Sequence, residues 1–166
     1  MIVAIDVQYT DDTEALAAAV VFNDWADAHP VDTHTAVISP VEPYVPGQFW
    51  RRELPCIMEV LKEIWHPIDC VIVDGHVWLG PGVGGLGYYV YEALERRIPV
   101  VGVAKRHFRD GCAVEVLRGE SRNPLYVTAV GTDTSGAAHY IQRMHGPYRI
   151  PTLLKRVDAL CRGRSA

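Results

Sequence analysis

No stretch of this chain approaches the roughly 20 consecutive apolar residues that carry a helix across a bilayer. Nor does a basic region precede an apolar one at the N-terminus, so the expectation is a cytoplasmic chain without a membrane partner. Cysteine is sparse. Cys56, Cys70, Cys112 and Cys161 stand far apart in apolar contexts, with neither CxxC nor Cys/His zinc spacing, and are expected to be reduced core thiols. A GK[ST] triplet is missing, so the glycine-rich stretch from Gly80 to Gly87 is not a phosphate-binding P-loop. Excess positive charge is missing too. A net charge of −4 argues against a general nucleic-acid coat, though it leaves open an acidic centre neutralised by metal. Repeats, low-complexity tracts and linkers are absent, and 166 residues suit a single domain spanning 1–166.

The stretch present that organises the rest is Cys70-Val71-Ile72-Val73-Asp74-Gly75. An unbroken apolar run of β-branched residues reads as a strand buried on both faces. It delivers a carboxylate, Asp74, to its C-terminal end, where open α/β sheets place their ligands. An acid at the edge of an apolar core needs a cation, a hydrogen-bond cluster or a proton.

Around it the chain reads in order. Met1 to Val7 is a strand carrying Asp6 near its end, Ala15 to Phe22 a second, and Thr33 to Ser39 a third. Pro40, Pro43, Pro46 and Gly47 stop regular structure. Phe49 to Trp65 has the apolar spacing of an amphipathic helix, with Glu53 in its first turns. Gly75 to Gly87 reads as loop and Tyr88 to Arg97 as a helix with Tyr91, Ala93 and Leu94 inward. Pro99 to Ala104 is a buried strand ending at Lys105. Ala113–Leu117 and Leu125–Val130 are two more strands, and Thr134–His145 and Ile150–Cys161 are helices, the first with Thr132, Asp133 or Thr134 as N-cap. From residue 139 onward Arg143, Arg149, Lys155, Arg156, Arg162 and Arg164 face one acid, Asp158. That asymmetry suits either a solvated helix face or a phosphate contact surface.

A three-strand antiparallel meander followed by parallel βαβ units predicts an α/β fold, a mixed sheet flanked by helices in the order of ribonuclease H-like polynucleotidyl transferases. That layout brings the ends of strands one and four together, with Asp6 facing Asp74 and Glu53 able to point at the same spot. Two carboxylates about 4 Å apart repel by roughly 4 kcal/mol at an effective dielectric near 20, so a divalent cation or a proton must intervene. Three acids on a metal such as Mg²⁺ position and deprotonate a water for attack on a phosphodiester, and a lysine at the neighbouring strand end, Lys105, holds the phosphate.

These residues resemble endonuclease V, the family that nicks nucleic acid near deoxyinosine or inosine. AIDVQY (Ala4 to Tyr9) is similar to the first-strand aspartate motif, and PYVPGQFWRRELP (Pro43 to Pro55) to the signature PYxPGxLxFRExP. VIVDGH (Val71 to His76), GVAK (Gly102 to Lys105), PLYVT (Pro124 to Thr128) and GPYRIP (Gly146 to Pro151) also fit. The resemblance implies a Mg²⁺ or Mn²⁺ cofactor and hydrolysis on the 3′ side of a deaminated base in DNA or RNA. It implies Asp6, Glu53 and Asp74 as metal carboxylates and Lys105 as the phosphate contact. Pro43, Tyr44, Val45 and Pro46 would form a wedge propping the strands apart, Tyr44 replacing a base in the stack. His76 and the glycine loop at Gly80 would lie against the nucleic acid.

Departures are visible. The family pattern DGxGxxHPRxxG has histidine and arginine where this chain has Gly80 and Gly82, and the later family histidine is not found after PLYVT. Strand one is expected to open the chain, without the helix family members carry ahead of it. An imidazole lost from acid–base work costs on the order of 10²–10⁴ in rate. Alternatives are therefore a non-catalytic relative that binds nucleic acid or protein, or a metal phosphohydrolase of small nucleotides.

Overall fold

The computed structural model describes residues 1–109 and 111–164. Three consecutive strands, β1 (Ile2–Tyr9), β2 (Ala15–Phe22) and β3 (Asp32–Ile38), pair antiparallel as the expected meander. β2 contains four alanines, good helix formers, yet it is a strand buried along nearly its whole length. Pairing on both edges, with helices packed on both faces, overrides local propensity there.

After α1 (Trp50–Lys62), β4 (Cys70–Asp74) lies parallel to β1. The stretch expected to be loop instead holds a small antiparallel hairpin, β5 (Trp78–Gly80) with β6 (Val83–Gly84), before α2 (Leu86–Ala93). The hairpin is held from outside itself. Trp78 Nε1 donates to the Ala129 carbonyl at 3.0 Å, and its ring lies 4.9 Å from that of Tyr88. Ala93, expected inward, is exposed. β7 (Val100–Ala104) is parallel to β4, whereas β9 (Leu125–Val130) runs antiparallel to β7 and to β8 (Val114–Val116). α3 (Thr134–Arg143) starts at Asp133, whose carboxylate accepts from the Gly136 amide at 2.6 Å, and α4 (Thr152–Cys161) closes the described chain.

Among the described residues the main sheet has the order β3-β2-β1-β4-β7-β9-β8, with β1 and β4 as neighbours. Alternate residues of each central strand face two separate cores. Val3, Ile5, Val71 and Val73 pack toward α1 and α2, with Ile57 and Val90. Ile2, Ala4, Ile72, Val101 and Val103 pack toward α3 and α4, with Ile141, Leu153 and Val157. Cys56 and Cys161 are buried as expected, but Cys70 is half-buried and Cys112 exposed, so neither is a true core thiol. No helix is long and apolar enough to cross a membrane among the described residues.

Candidate active site at the carboxyl edge of the sheet

The β1–β4 register aligns Ile5 with Val73, so Asp6 and Asp74 follow side by side where the two strands end. Both continue the alternation of Ala4 and Ile72 and therefore project toward α4. Lys105, just past the end of β7, follows Val103 on the same face and closes an ion pair, its Nζ 2.7 Å from Asp74 Oδ2. Lys105 is the expected phosphate contact, so its first partner in the fold is a carboxylate.

Glu53 arrives from the opposite face, on the first turn of α1. It is only 8% exposed. Arg52, next to it, does not neutralise it. That guanidinium turns the other way, lying 4.1 Å over the Tyr9 ring and donating to the Asp12 carbonyl at 3.1 Å. Burial, then the charges of Asp6 and Asp74, push Glu53 up from 4.5 to about 8. A position near a helix N-terminus favours a carboxylate by only about 0.3–1 kcal/mol, which burial and two like charges outweigh. Asp6 rises from 3.8 to about 6, again through burial first and Asp74 second, although the Val7 amide donates to it at 2.8 Å.

A fourth acid joins them. Asp158 of α4, which the sequence presents as the lone counter-charge of a basic tail, has its Oδ1 4.0 Å from Lys105 Nζ and adds to the charge felt by Asp6. Arg162 holds it in place from one turn on, at 3.1 and 3.2 Å. Leu153, Val157 and Cys161 form the buried face of α4 with Asp158 at its edge, and the packing of α4 on β1 is what brings that acid to the site. The Cys161 thiol, buried beside Asp6, is held protonated by burial and by that carboxylate. Burial alone would lower the Lys105 ammonium, but its bond to Asp74 and the charges of Asp74, Asp6 and Asp158 carry it above the ordinary value. The four carboxylates are neighbours, not a closed cage. Among the described residues no three His, Cys, Asp or Glu side chains converge tightly enough to grip an ion as they stand.

The basic tail is not a uniform solvated face. Arg149 donates to the Lys105 carbonyl at 2.6 Å and to the Pro124 carbonyl at 2.8 Å, tying the segment before α4 to the end of β7. Arg118, buried and without any signal in the sequence, donates to the carbonyls of Gln142, Met144, Gly146 and Tyr148 and so shapes the turn that leads into α4.

Pro43, Tyr44, Val45 and Pro46 form an exposed loop just before α1, with Tyr44 58% exposed, so the ring is not a lid on the core. Behind the loop, Trp50 stacks on Tyr89 at 3.6 Å and fixes the start of α1 against α2. His76 is half-buried, its Nε2 3.0 Å from the Arg106 carbonyl and its ring edge-on to Phe108 at 6.1 Å. Gly80 is buried in the hairpin opposite Val83, so this part of the glycine-rich stretch is structured.

A model of the family described as endonuclease V matches residues 1–137. Among curated proteins, endonuclease V of Streptomyces avermitilis is 29% identical over 97% of this chain and 79% of its own length. That of Xanthomonas axonopodis pv. citri is 27% identical over 99% of this chain and 77% of its own. The crystal structure of the S. avermitilis protein superposes with a TM-score of 0.78 at 27% identity, covering 98% of this chain and 79% of that one. Endonuclease V of Ciona intestinalis, solved in complex with a 24mer DNA containing an inosine followed by a ribo-adenosine, superposes at 0.81 with 16% identity, covering 98% of this chain and 84% of that one. The shared architecture is the ribonuclease H-like mixed sheet flanked by helices.

Proposed function

Because this chain belongs to the endonuclease V family, we propose that it is a divalent-metal-dependent endonuclease that hydrolyses a phosphodiester on the 3′ side of a deaminated base in nucleic acid. The observation that carries the reading is the gathering of Asp6, Glu53, Asp74 and Asp158, from four separate elements, around the ends of β1 and β4 with Lys105 among them. The inosine-containing DNA bound by the Ciona relative supports the substrate class.

The donor set suits Mg²⁺ or Mn²⁺. It is made of carboxylate oxygens alone, and burial followed by the neighbouring carboxylates raises Asp6 and Glu53, a cost that a divalent cation would offset. Asp6, Glu53 and Asp74 would hold the ion, with Asp158 beside them. Such an ion, when bound, lowers the pKa of a water and neutralises charge on the phosphate oxygens. The chain's own residues do the rest. Glu53 and Asp6 must give up their protons for the site to form, so binding of the ion would release protons. Lys105 leaves or shares Asp74 to meet a phosphate oxygen, and Arg149 holds the backbone from which it reaches. Asp158 keeps Lys105 within reach of the site. Pro43 to Pro46 supply a stiff, exposed loop, with Tyr44 offering a flat face to an unstacked base.

The test is direct. Labelled inosine-containing DNA and RNA are incubated with the protein in Mg²⁺, Mn²⁺ or EDTA, beside Asp74→Ala. Nicking that needs both metal and Asp74 is the expected result. Tight binding with no nicking in any metal would overturn it in favour of a binding module, the reading that Gly80 in the family histidine position favours.

A further inference from the structure

A cavity of about 360 Å³ opens beside the acids, between the sheet and α4. Its lining includes the apolar Ile72, Val103, Leu125 and Leu154, together with Asp6, Asp74, Asp158 and Lys105 of the site. A second concavity, lined by His76 and Phe108 among others, also borders Asp74 and Lys105. The two recesses therefore share one pair of side chains. A phosphodiester held at that pair has a nucleoside on either side of it, one over each recess. The exposed loop Pro43 to Pro46 leads into α1, on the face of the sheet away from α4. A strand parted by that loop and drawn over the carboxyl edge of β1 and β4 continues onto the α4 face.

Resting on the nuclease reading above, we infer that the α4 cavity takes the base of the nucleotide on the far side of the cut from the deaminated base. The chemistry of the walls fits a nucleobase. Flat apolar faces meet aliphatic side chains, while Lys155, exposed on α4, suits the phosphate to which a base is tethered, Arg149 being spent on the Lys105 and Pro124 carbonyls. Tyr148, 68% exposed at the rim with Lys155 5.8 Å from its ring centre, offers a stacking surface at the entrance. The size decides between a base and a duplex. A volume near the lower end of the roughly 300–1,000 Å³ of ligand pockets admits one nucleotide and no helix. The strand beyond the cut is therefore engaged unpaired, so the substrate class narrows to nucleic acid that is single-stranded, or opened, on both sides of the scissile bond.

Binding is measured by fluorescence anisotropy with Ca²⁺ replacing Mg²⁺, on single strands carrying one deoxyinosine. An abasic residue is stepped through the next three positions on the 3′ side. Wild-type protein is expected to lose about tenfold in affinity at one of these positions, the loss of one stacked base, and little at the others. Leu154→Trp, which fills the cavity, is expected to bind the intact strand about tenfold more weakly and to show no further loss at that position. A wild-type scan with no sensitive position overturns the inference while leaving the nuclease reading intact, and it does so even if the tryptophan variant fails to fold. A Leu154→Trp protein that folds and keeps full affinity and full sensitivity overturns it as well. A wild-type protein that binds none of the strands overturns the nucleic-acid reading and this inference together.

Discussion

Glu53 and Asp6 are the residues on which the chemistry turns, because each is held with a proton it would release in water. Their folded-state values, about 8 and about 6, lie above the ordinary 4.5 and 3.8. Folded protein therefore keeps protons that the unfolded chain has lost. Stability from these groups is fully present below about pH 4 and drains away as pH rises, through about 6 for Asp6 and about 8 for Glu53. Glu53→Gln has no such proton to lose. In EDTA its stability relative to wild type should improve by about 3 kcal/mol between pH 5 and pH 8, read from urea midpoints, since a proton held by the folded state alone is worth at most about 1.4 kcal/mol over each step of one in pH. A relative stability that does not move with pH would show that Glu53 ionises freely. Asp158→Asn tests the acid that the chain order hides. Nicking should fall by about 10²-fold or more with little change in melting temperature, since Asp158 is part of the site and lies at the margin of the α4 core.

At the scale of elements, the site depends on how closely the β4–β5 connection crosses β7. A Cβ on Gly102 would come within 2.6 Å of the Gly75 carbonyl and 2.8 Å of the Val77 amide, backbone atoms that cannot step aside. The same crossing is pinned by the Val77 amide donating to Thr128 Oγ1 at 2.8 Å. Gly102→Ala should cost about 2 kcal/mol or more, seen as a lower thermal midpoint, and should weaken nicking by displacing Asp74. This crossing is only partly legible in the sequence. The unbroken apolar runs of β4 and β7 announce buried strands, because every residue faces a helix. The hairpin β5–β6 escapes sequence reasoning because strands of three and two residues have no period to read. Its stability comes from Trp78, Tyr88 and the Ala129 carbonyl, and two of those partners belong to other elements.

For the whole molecule, four carboxyl groups from four elements meet at one edge of a sheet, where folding crowds acids whose mutual repulsion a proton or a cation must offset. Mg²⁺ at 100 times its dissociation constant should stabilise the protein by about 2.7 kcal/mol, an increase in melting temperature on the order of 5–10 °C for a chain of this size. Asp6→Asn combined with Glu53→Gln should abolish that increase. An equal shift in the double variant, followed by differential scanning fluorimetry with and without EDTA, would place any bound ion elsewhere.

By itself the sequence determined the strands of the main sheet and the helices, their order, the neighbouring ends of β1 and β4, and the candidates Asp6, Glu53, Asp74 and Lys105. These are legible because periodicities of two and 3.6 are set by residues close along the chain, and because strand ends must place their polar residues at an edge. Only the tertiary structure decided that Asp158 joins them, that Arg52 turns away from Glu53, and that Arg149 and Arg118 are spent on backbone carbonyls instead of solvent. Each of these depends on packing between segments distant in the chain, α4 against β1 above all. Local pattern carries no record of which distant partner a side chain will meet once both are buried.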